Sequence, residues 1–164
     1  MAGHTFTTLA PTHKVGAFAC GNVDIDSYLH SRAAGEQALS LCQVYVMVDD
    51  ALRVWAYGTL SPISVKIGDD LLKAMGLAQA PYRSIGGYLL GRLGVDHTLQ
   101  HQGIGPAVVA RLATIAARQR QITGGVFLAV DPKEEWLVSW YEKLGFRRLD
   151  PRHMRLVLPL SSVV

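Results

Sequence analysis

The spacing of apolar and polar positions changes period several times along this chain, and each change marks an element. Ile25, Tyr28, Leu29, Arg32 and Ala33 recur at helical spacing behind Asn22, a natural N-cap, which predicts a helix over 23–38. The period then shortens. "CQVYVMV" and "RVWAYGTLS" are rich in β-branched and aromatic residues and read as two strands joined by a turn at Asp49-Asp50-Ala51-Leu52. "GDDLLKAMG" predicts a short helix. "IGGYLLGRLGV" is apolar but carries glycines at 86, 87, 91 and 94, which favours a buried strand with close backbone neighbours over a helix.

Beyond a polar kink, Ile104, Val108, Leu112 and Ile115 line one face of a helix, with Arg111 and Arg118 elsewhere on it. "GGVFLAV" predicts a short buried strand. "EEWLVSWYEKLGF" predicts a helix with Leu137, Trp140, Tyr141 and Leu144 in one stripe, ended by Gly145 as its C′ residue. "HMRLVLPL" reads as a last strand. Helices and strands interleave, so the fold class is mixed α/β, α+β-like.

Composition adds limits. At 164 residues, 49% hydrophobic and 18% charged, the chain is read as one domain, 1–164, with a full core. "MAGHTFTTLAPTHK" has no apolar leader core and no apolar run reaches membrane-spanning length, so the expected location is cytoplasmic, with no membrane partner. Cys20 and Cys42 have no metal spacing and read as reduced thiols; no metal site is expected. The net charge of +3 permits an anionic partner without requiring one. The densest basic segment holds Arg147, Arg148, Arg152 and Arg155, equally readable as solvated surface or as a binding patch.

The kink itself, Gln100-His101-Gln102-Gly103-Ile104-Gly105, is the first candidate for chemistry. A helix start presents unpaired N–H groups, its dipole favours an anion, and glycines let a phosphate approach the backbone. A Walker loop is excluded because Pro106 follows Gly105, and a Rossmann loop because Val108 stands where its third glycine belongs. The plainer alternative is a tight strand-to-helix turn.

What remains is Gln-x-x-Gly-x-Gly after a strand, followed some way on by Trp140-Tyr141-Glu142-Lys143-Leu144-Gly145-Phe146. This pairing resembles the GNAT family of acetyl-CoA-dependent N-acetyltransferases. "FACGNVDIDSYLHSRA", "YGTLSPISV" and "LLGRLGVD" resemble its toxin branch, the TacT-like enzymes, which acetylate the α-amine of aminoacyl-tRNA and are neutralised by a ribbon-helix-helix antitoxin. The resemblance implies a central, mostly antiparallel twisted sheet flanked by helices and splayed at the cofactor-binding strand. It implies acetyl-CoA as co-substrate, with Gln100, His101, Gln102, Gly103, Ile104 and Gly105 cradling its pyrophosphate and Leu93, Gly94 and Val95 pairing with its pantetheine arm. Pro106 and the absence of a basic residue at His101 and Gln102 depart from many relatives. A homodimer is compatible with this family.

Tyr141 matches the general acid of the family, although its place on an apolar stripe equally suits a core tyrosine. Arg92, the one charge in its strand, reads either as a substrate-phosphate ligand, as the resemblance implies, or as half of a buried ion pair. Trp136 and Trp140 are expected to pack. No strand carboxylate stands out as a base, which suits an α-amine: at a pKa of ~7.7–8.0 it is partly neutral at pH 7, unlike a lysine at ~10.4. Two other functions fit the same residues: acetylation of a small amine or a protein N-terminus, and a catalytically silent acyl-CoA- or antitoxin-binding module.

Overall fold

The computed structural model describes residues 3–163. Seven strands are β1 (Thr5–Thr8), β2 (Gln43–Val48), β3 (Val54–Lys66), β4 (Ser84–Val95), β5 (Phe127–Val130), β6 (Arg147–Arg148) and β7 (Leu156–Pro159). Five α-helices are α1 (Val23–Ser31), α2 (Ala33–Ala38), α3 (Asp69–Ala74), α4 (Ile104–Thr123) and α5 (Glu135–Lys143). Hydrogen bonding orders the strands β1-β2-β3-β4-β5-β7-β6. The pairs β1–β2, β2–β3, β5–β7 and β6–β7 are antiparallel, whereas β4–β5 is parallel and is registered from Tyr88↔Leu128 to Leu90↔Val130. β4 continues past that pairing to Val95. The mixed α+β expectation holds.

The chain divides into two compact units. One runs up to Ser61 and adds Gly91–Leu112; the other comprises Pro62–Leu90 and the residues from Ala113 onward. In the first unit, Phe18, Tyr28, Leu29, Val44, Val46, Val54 and Tyr57 form the core. Asn22 caps α1 as expected, its side-chain oxygen accepting from the N–H groups of Asp24 and Ile25. The single helix expected over 23–38 is instead two. Arg32 leaves helical geometry at φ −121°, and Ala33, which opens α2, is fully sealed. Helical spacing continues across this joint, so periodicity alone does not detect it.

The β2–β3 turn forms as read. Asp49 accepts from the N–H groups of Ala51 and Arg53, and Leu52 adopts φ +66°. β1 was not foreseen; a strand of four residues with three threonines carries little hydrophobic signal, and Gln37 anchors the chain just beyond it. Its amide donates to the Leu9 carbonyl at 2.9 Å and accepts from Val44 N–H at 2.8 Å. Close backbone approach explains Gly94, where a Cβ would meet Ile25 at 2.7 Å and Phe18 at 3.0 Å.

In the second unit, Val65, Ile67, Leu72, Ile85, Phe127, Ala129 and Val157 pack together, and every residue of β5 is buried. Gly87 is required there: a Cβ would lie 2.6 Å from both the Phe127 ring and its carbonyl oxygen. β4 is only partly buried, with Gly86 and Gly91 exposed, rather than the wholly buried strand expected. Along α4 the sealed residues are Val108, Val109, Leu112, Ala113 and Ala116, while Ile115 is half-buried, so the buried stripe is rotated slightly from the expected face. Gly145 ends α5 at φ +102°, one residue past the C-cap Leu144, as its spacing predicts. The two-residue β6 was too short to be read from pattern.

Candidate functional site

The polar kink after β4 is built on a carboxylate that sequence reasoning passed over. Asp96 follows β4 directly and is fully buried. Its Oδ1 accepts from the N–H and hydroxyl of Thr98, and its Oδ2 accepts from Ala19 N–H at 3.3 Å. The Arg53 guanidinium lies 3.6 Å from Oδ2. Burial alone would raise this carboxyl, but the Thr98 and Ala19 bonds outweigh it, and the group is held below its ordinary range. The available signal was an acid two residues before a threonine at a strand-to-turn boundary, which is cap chemistry.

Gln100 completes the support. Its amide nitrogen donates to the Cys20 carbonyl at 2.7 Å and to the Val95 carbonyl at 2.9 Å. His97 adds a backbone bond and a ring contact to Ala19 O, each 2.8 Å. The Ala19–Cys20 strip is thereby fastened across the end of β4. The Gln100 side-chain N–H groups are thus spent on carbonyls: they shape the kink, and any anion there would have to use backbone donors.

Those donors are present. His101 takes φ +63° and Gly103 takes φ +79°, and α4 opens with Ala107 N–H donating to Gly103 O at 3.2 Å. Ile104 and Gly105 therefore have no intrahelical acceptor for their N–H groups, and Pro106 in the third helical position has no N–H to satisfy. A Cβ on Gly103 would meet nothing within 4 Å. His101, Gln102 and Gly103 are exposed, while Ile104 is buried and anchors the helix start. Backbone N–H groups arranged in this way at a helix start can accept an anion.

Along β4, Gly94 is buried against α1, and Leu93 and Val95 are half-buried on the opposite face by strand alternation. Arg92 shares the Gly94 face. The ion-pair alternative does not hold: its guanidinium lies 3.9 Å from the Tyr28 ring centroid, and among the described residues it pairs with no carboxylate. Cys20 supplies no nucleophile at neutral pH, because burial pushes its thiol up to about 11.

The second unit holds Tyr141. It projects from α5 with 6% exposure, edge-on to Trp140 at 4.9 Å and to Phe146 at 5.2 Å. Burial raises its phenol above the ordinary value. Its hydroxyl has no hydrogen-bond partner among the described residues, yet it is not among the sealed, unsatisfied atoms, so the tip of the ring remains accessible. A buried ring with a free, protonated hydroxyl can donate a proton.

Trp140 packs as expected, but Trp136 does not. It is 63% exposed, and its indole N–H donates to Glu134. The phase of α5 is the reason, since the sealed positions are Val138 and Tyr141. Of the four C-terminal arginines, three already hold carboxylates: Arg148 with Glu135 at 2.7 Å, Arg152 with Asp150 at 2.9 Å and Arg155 with Asp131 at 2.5 Å. Arg147 is exposed.

Both segments that carry the sequence resemblance are formed: the left-handed turn at the start of α4, and the end of α5 with Tyr141, Gly145 and Phe146. A sequence model of the Acetyltransferase (GNAT) family matches residues 35–146, a span that contains both segments. The chain belongs to the GNAT acetyltransferase family. Among solved structures, it is similar to a tyrosine-to-phenylalanine mutant of KacT, at 24% identity and TM-score 0.89, covering 98% of this chain and 97% of that one. It is also similar to AtaT complexed with acetyl-methionyl-tRNAfMet, at 23% identity and TM-score 0.91, covering 98% and 96%. AtaTR bound with AcCoA matches at 23% identity and TM-score 0.85, covering 99% and 97%. Among the described residues, no helix is long and apolar enough to cross a membrane.

Proposed function

We propose that this chain transfers the acetyl group of acetyl-CoA to the α-amine of aminoacyl-tRNA and acts as a cytoplasmic, translation-blocking toxin held in check by a ribbon-helix-helix antitoxin. The observation that carries the reading is the backbone turn at Gly103–Gly105, braced by Asp96 and Gln100. N–H groups at a helix start suit a pyrophosphate, and the empty space beside Gly103 suits the close approach of one. Bound acetyl-CoA would supply the activated thioester. Leu93, Gly94 and Val95, where β4 has outrun its pairing with β5, are the stretch that would run beside its pantetheine arm, with the Val95 carbonyl already held by Gln100.

Tyr141 holds a proton for the departing thiolate. A phenol raised by burial stays protonated at neutral pH; being a weaker acid than a thiol of pKa ~8.5, it passes its proton to the departing thiolate only as the acceptor nitrogen gives one up to restore it. Arg92 faces the acceptor. The choice of an α-amine rests on the lack of a dedicated base: among the described residues the one sealed carboxylate, Asp96, is spent on the kink, and an α-amine needs little deprotonation. Support for the tRNA acceptor and the antitoxin comes from the solved structures of AtaT with acetyl-methionyl-tRNAfMet and with the C-terminus of the antitoxin AtaR.

The test is to incubate the protein with acetyl-CoA and either charged tRNA or a panel of small amines and N-terminal peptides. Release of free CoA and mass analysis of the acceptor are then followed. One acetyl group on the aminoacyl moiety is the expected result. Turnover confined to small amines or peptides transfers the function to those acceptors, and binding without any turnover leaves a binding module.

A further inference from the structure

Among the described residues, Thr59 and Asp96 are the two polar, non-aromatic side chains that the fold buries. Asp96 braces the kink. Thr59 sits in β3, 3% exposed, and its hydroxyl oxygen accepts from the backbone N–H of Arg92 at 3.0 Å. Its neighbours in β3 from Ala56 to Leu60 are buried too, a setting in which an isosteric valine carries no polar atom to desolvate. The two strands run close together here. A Cβ on Gly91 would stand 3.1 Å from the Thr59 oxygen and meet nothing else within 4 Å, and one on Gly58 would stand 3.5 Å from the Arg92 carbonyl.

A second bond fixes the phase of β4. The Asp96 N–H donates to the Trp55 carbonyl at 2.8 Å. Arg92 and Asp96 have the same separation as Thr59 and Trp55, so this stretch of β4 stays in step with β3 and turns both N–H groups toward it. By alternation the N–H and C=O groups of Leu93 and Val95 face the other edge of β4, the one whose pairing with β5 ends at Leu90. On that edge the Val95 carbonyl is taken by the Gln100 amide. The Leu93 N–H lies between the end of the pairing and that brace.

We infer that Thr59 is a positioning residue for acetyl transfer: by holding the Arg92 N–H toward β3, its hydroxyl aims the Leu93 N–H at the thioester oxygen of acetyl-CoA. The inference rests on the acetyl-CoA reading of this edge of β4. A fixed N–H donor stabilises the thioester oxygen while the nitrogen–carbon bond forms and the C=O electron pair rests on it. The pair then returns, the carbon–sulfur bond breaks with its electrons leaving on sulfur, and the nitrogen gives up a proton as the thiolate gains one. Thr59 touches none of the reacting atoms and acts only through the strand.

The full chain is compared with Thr59→Val, which keeps the shape and removes the hydroxyl, with Thr59→Ser, which returns it, and with Gly91→Ala, whose methyl crowds that oxygen. Acetyl-CoA affinity, Tm, kcat well below Tm and the carbonyl stretch of bound acetyl-CoA, isotope-labelled at the thioester carbon, are measured. Thr59→Val should lose ~10–100-fold in kcat, the scale of a misplaced donor, and its carbonyl stretch should shift toward the free value. Its Tm should fall by ~2–10 °C, because a buried N–H loses its partner. Acetyl-CoA affinity should hold, since the proposed pyrophosphate donors at Gly103–Gly105 are untouched. Thr59→Ser should recover kcat and the carbonyl stretch, and Gly91→Ala should move both in the direction of Thr59→Val.

A Thr59→Val protein that melts earlier but keeps the wild-type kcat and carbonyl stretch overturns the inference and makes the hydroxyl a structural bond alone. Should that variant not fold, Gly91→Ala decides by the same two readouts. Thr59→Ser as slow as Thr59→Val also overturns it. A wild type that binds no acetyl-CoA overturns both the positioning role and the proposed function. Turnover of small amines alone, with the Thr59→Val loss and the Thr59→Ser recovery, leaves the positioning role standing and removes the tRNA function; acetylated tRNA with no response to Thr59→Val does the reverse.

Discussion

Tyr141→Phe separates catalysis from packing because of how the ring is held. The aromatic body is sealed against Trp140 and Phe146, and phenylalanine preserves those edge contacts. The hydroxyl donates to no described residue, so its removal strands no partner and leaves no buried group unsatisfied. The expected loss of stability is therefore at most ~0.5 kcal/mol, within the range of neutral substitutions. Loss of a general acid costs ~10²–10⁴ in kcat, which is ~2.7–5.5 kcal/mol of transition-state stabilisation. The two effects differ by several-fold in energy and fall on different observables.

Turnover is followed as thiol release with charged tRNA, acetyl-CoA affinity by calorimetry and Tm by scanning calorimetry. Wild-type Tm and affinity with kcat reduced by at least a hundredfold is the expected result. Burial also raises the phenol, so the wild-type rate should show no alkaline fall from this group until well above its ordinary pKa of ~10. A Phe variant that turns over within a few-fold of wild type while melting earlier would refute the reasoning and make Tyr141 a core residue.

Other substitutions test the cradle and its support. Gly105→Asp places a negative charge in the first turn of α4, where it favours the helix but repels a pyrophosphate; Tm should hold while acetyl-CoA affinity drops by more than ~tenfold, and unchanged affinity rules the cradle out. Gln100→Glu replaces a donor to two carbonyl oxygens with an acceptor, so denaturant unfolding should show a loss of ~2–3 kcal/mol; a loss near zero would mean the amide bonds are not made. For Asp96, the folded carboxyl is depressed, so its charge stabilises the protein above the unfolded pKa of ~3.9, and that contribution is lost as pH falls through the lower folded value. Wild type should therefore exceed Asp96→Asn in stability at pH 7, with the gap closing in acid; a gap independent of pH contradicts this.

Local pattern carried far in this chain. The β2–β3 turn at Asp49–Leu52, the strand-kink-helix passage from β4 into α4, and the Gly145 stop after α5 were all legible, because turn chemistry and helical period act within a few residues. The family resemblance was legible for the same reason: it resides in two short segments, Gln100–Gly105 and Trp140–Phe146. What the sequence could not specify was which partner each side chain meets. Gln100 is a pattern residue in the sequence, yet its bond to the Cys20 carbonyl spans eighty positions and converts it from a phosphate ligand into a brace. Asp96 drew no reading from the sequence, and the fold buries it against Ala19 and Arg53. Of the two readings open for Arg92, the ion pair gave way to the Tyr28 ring, and Trp136, off the apolar stripe of α5, stayed in solvent although it was expected to pack. Periodicity reports that a face is apolar or that a strand carries one charge. The covering surface, the burial of a carboxylate and the pairing of a cation are set by segments distant in sequence, and those appear only when the chain has closed on itself.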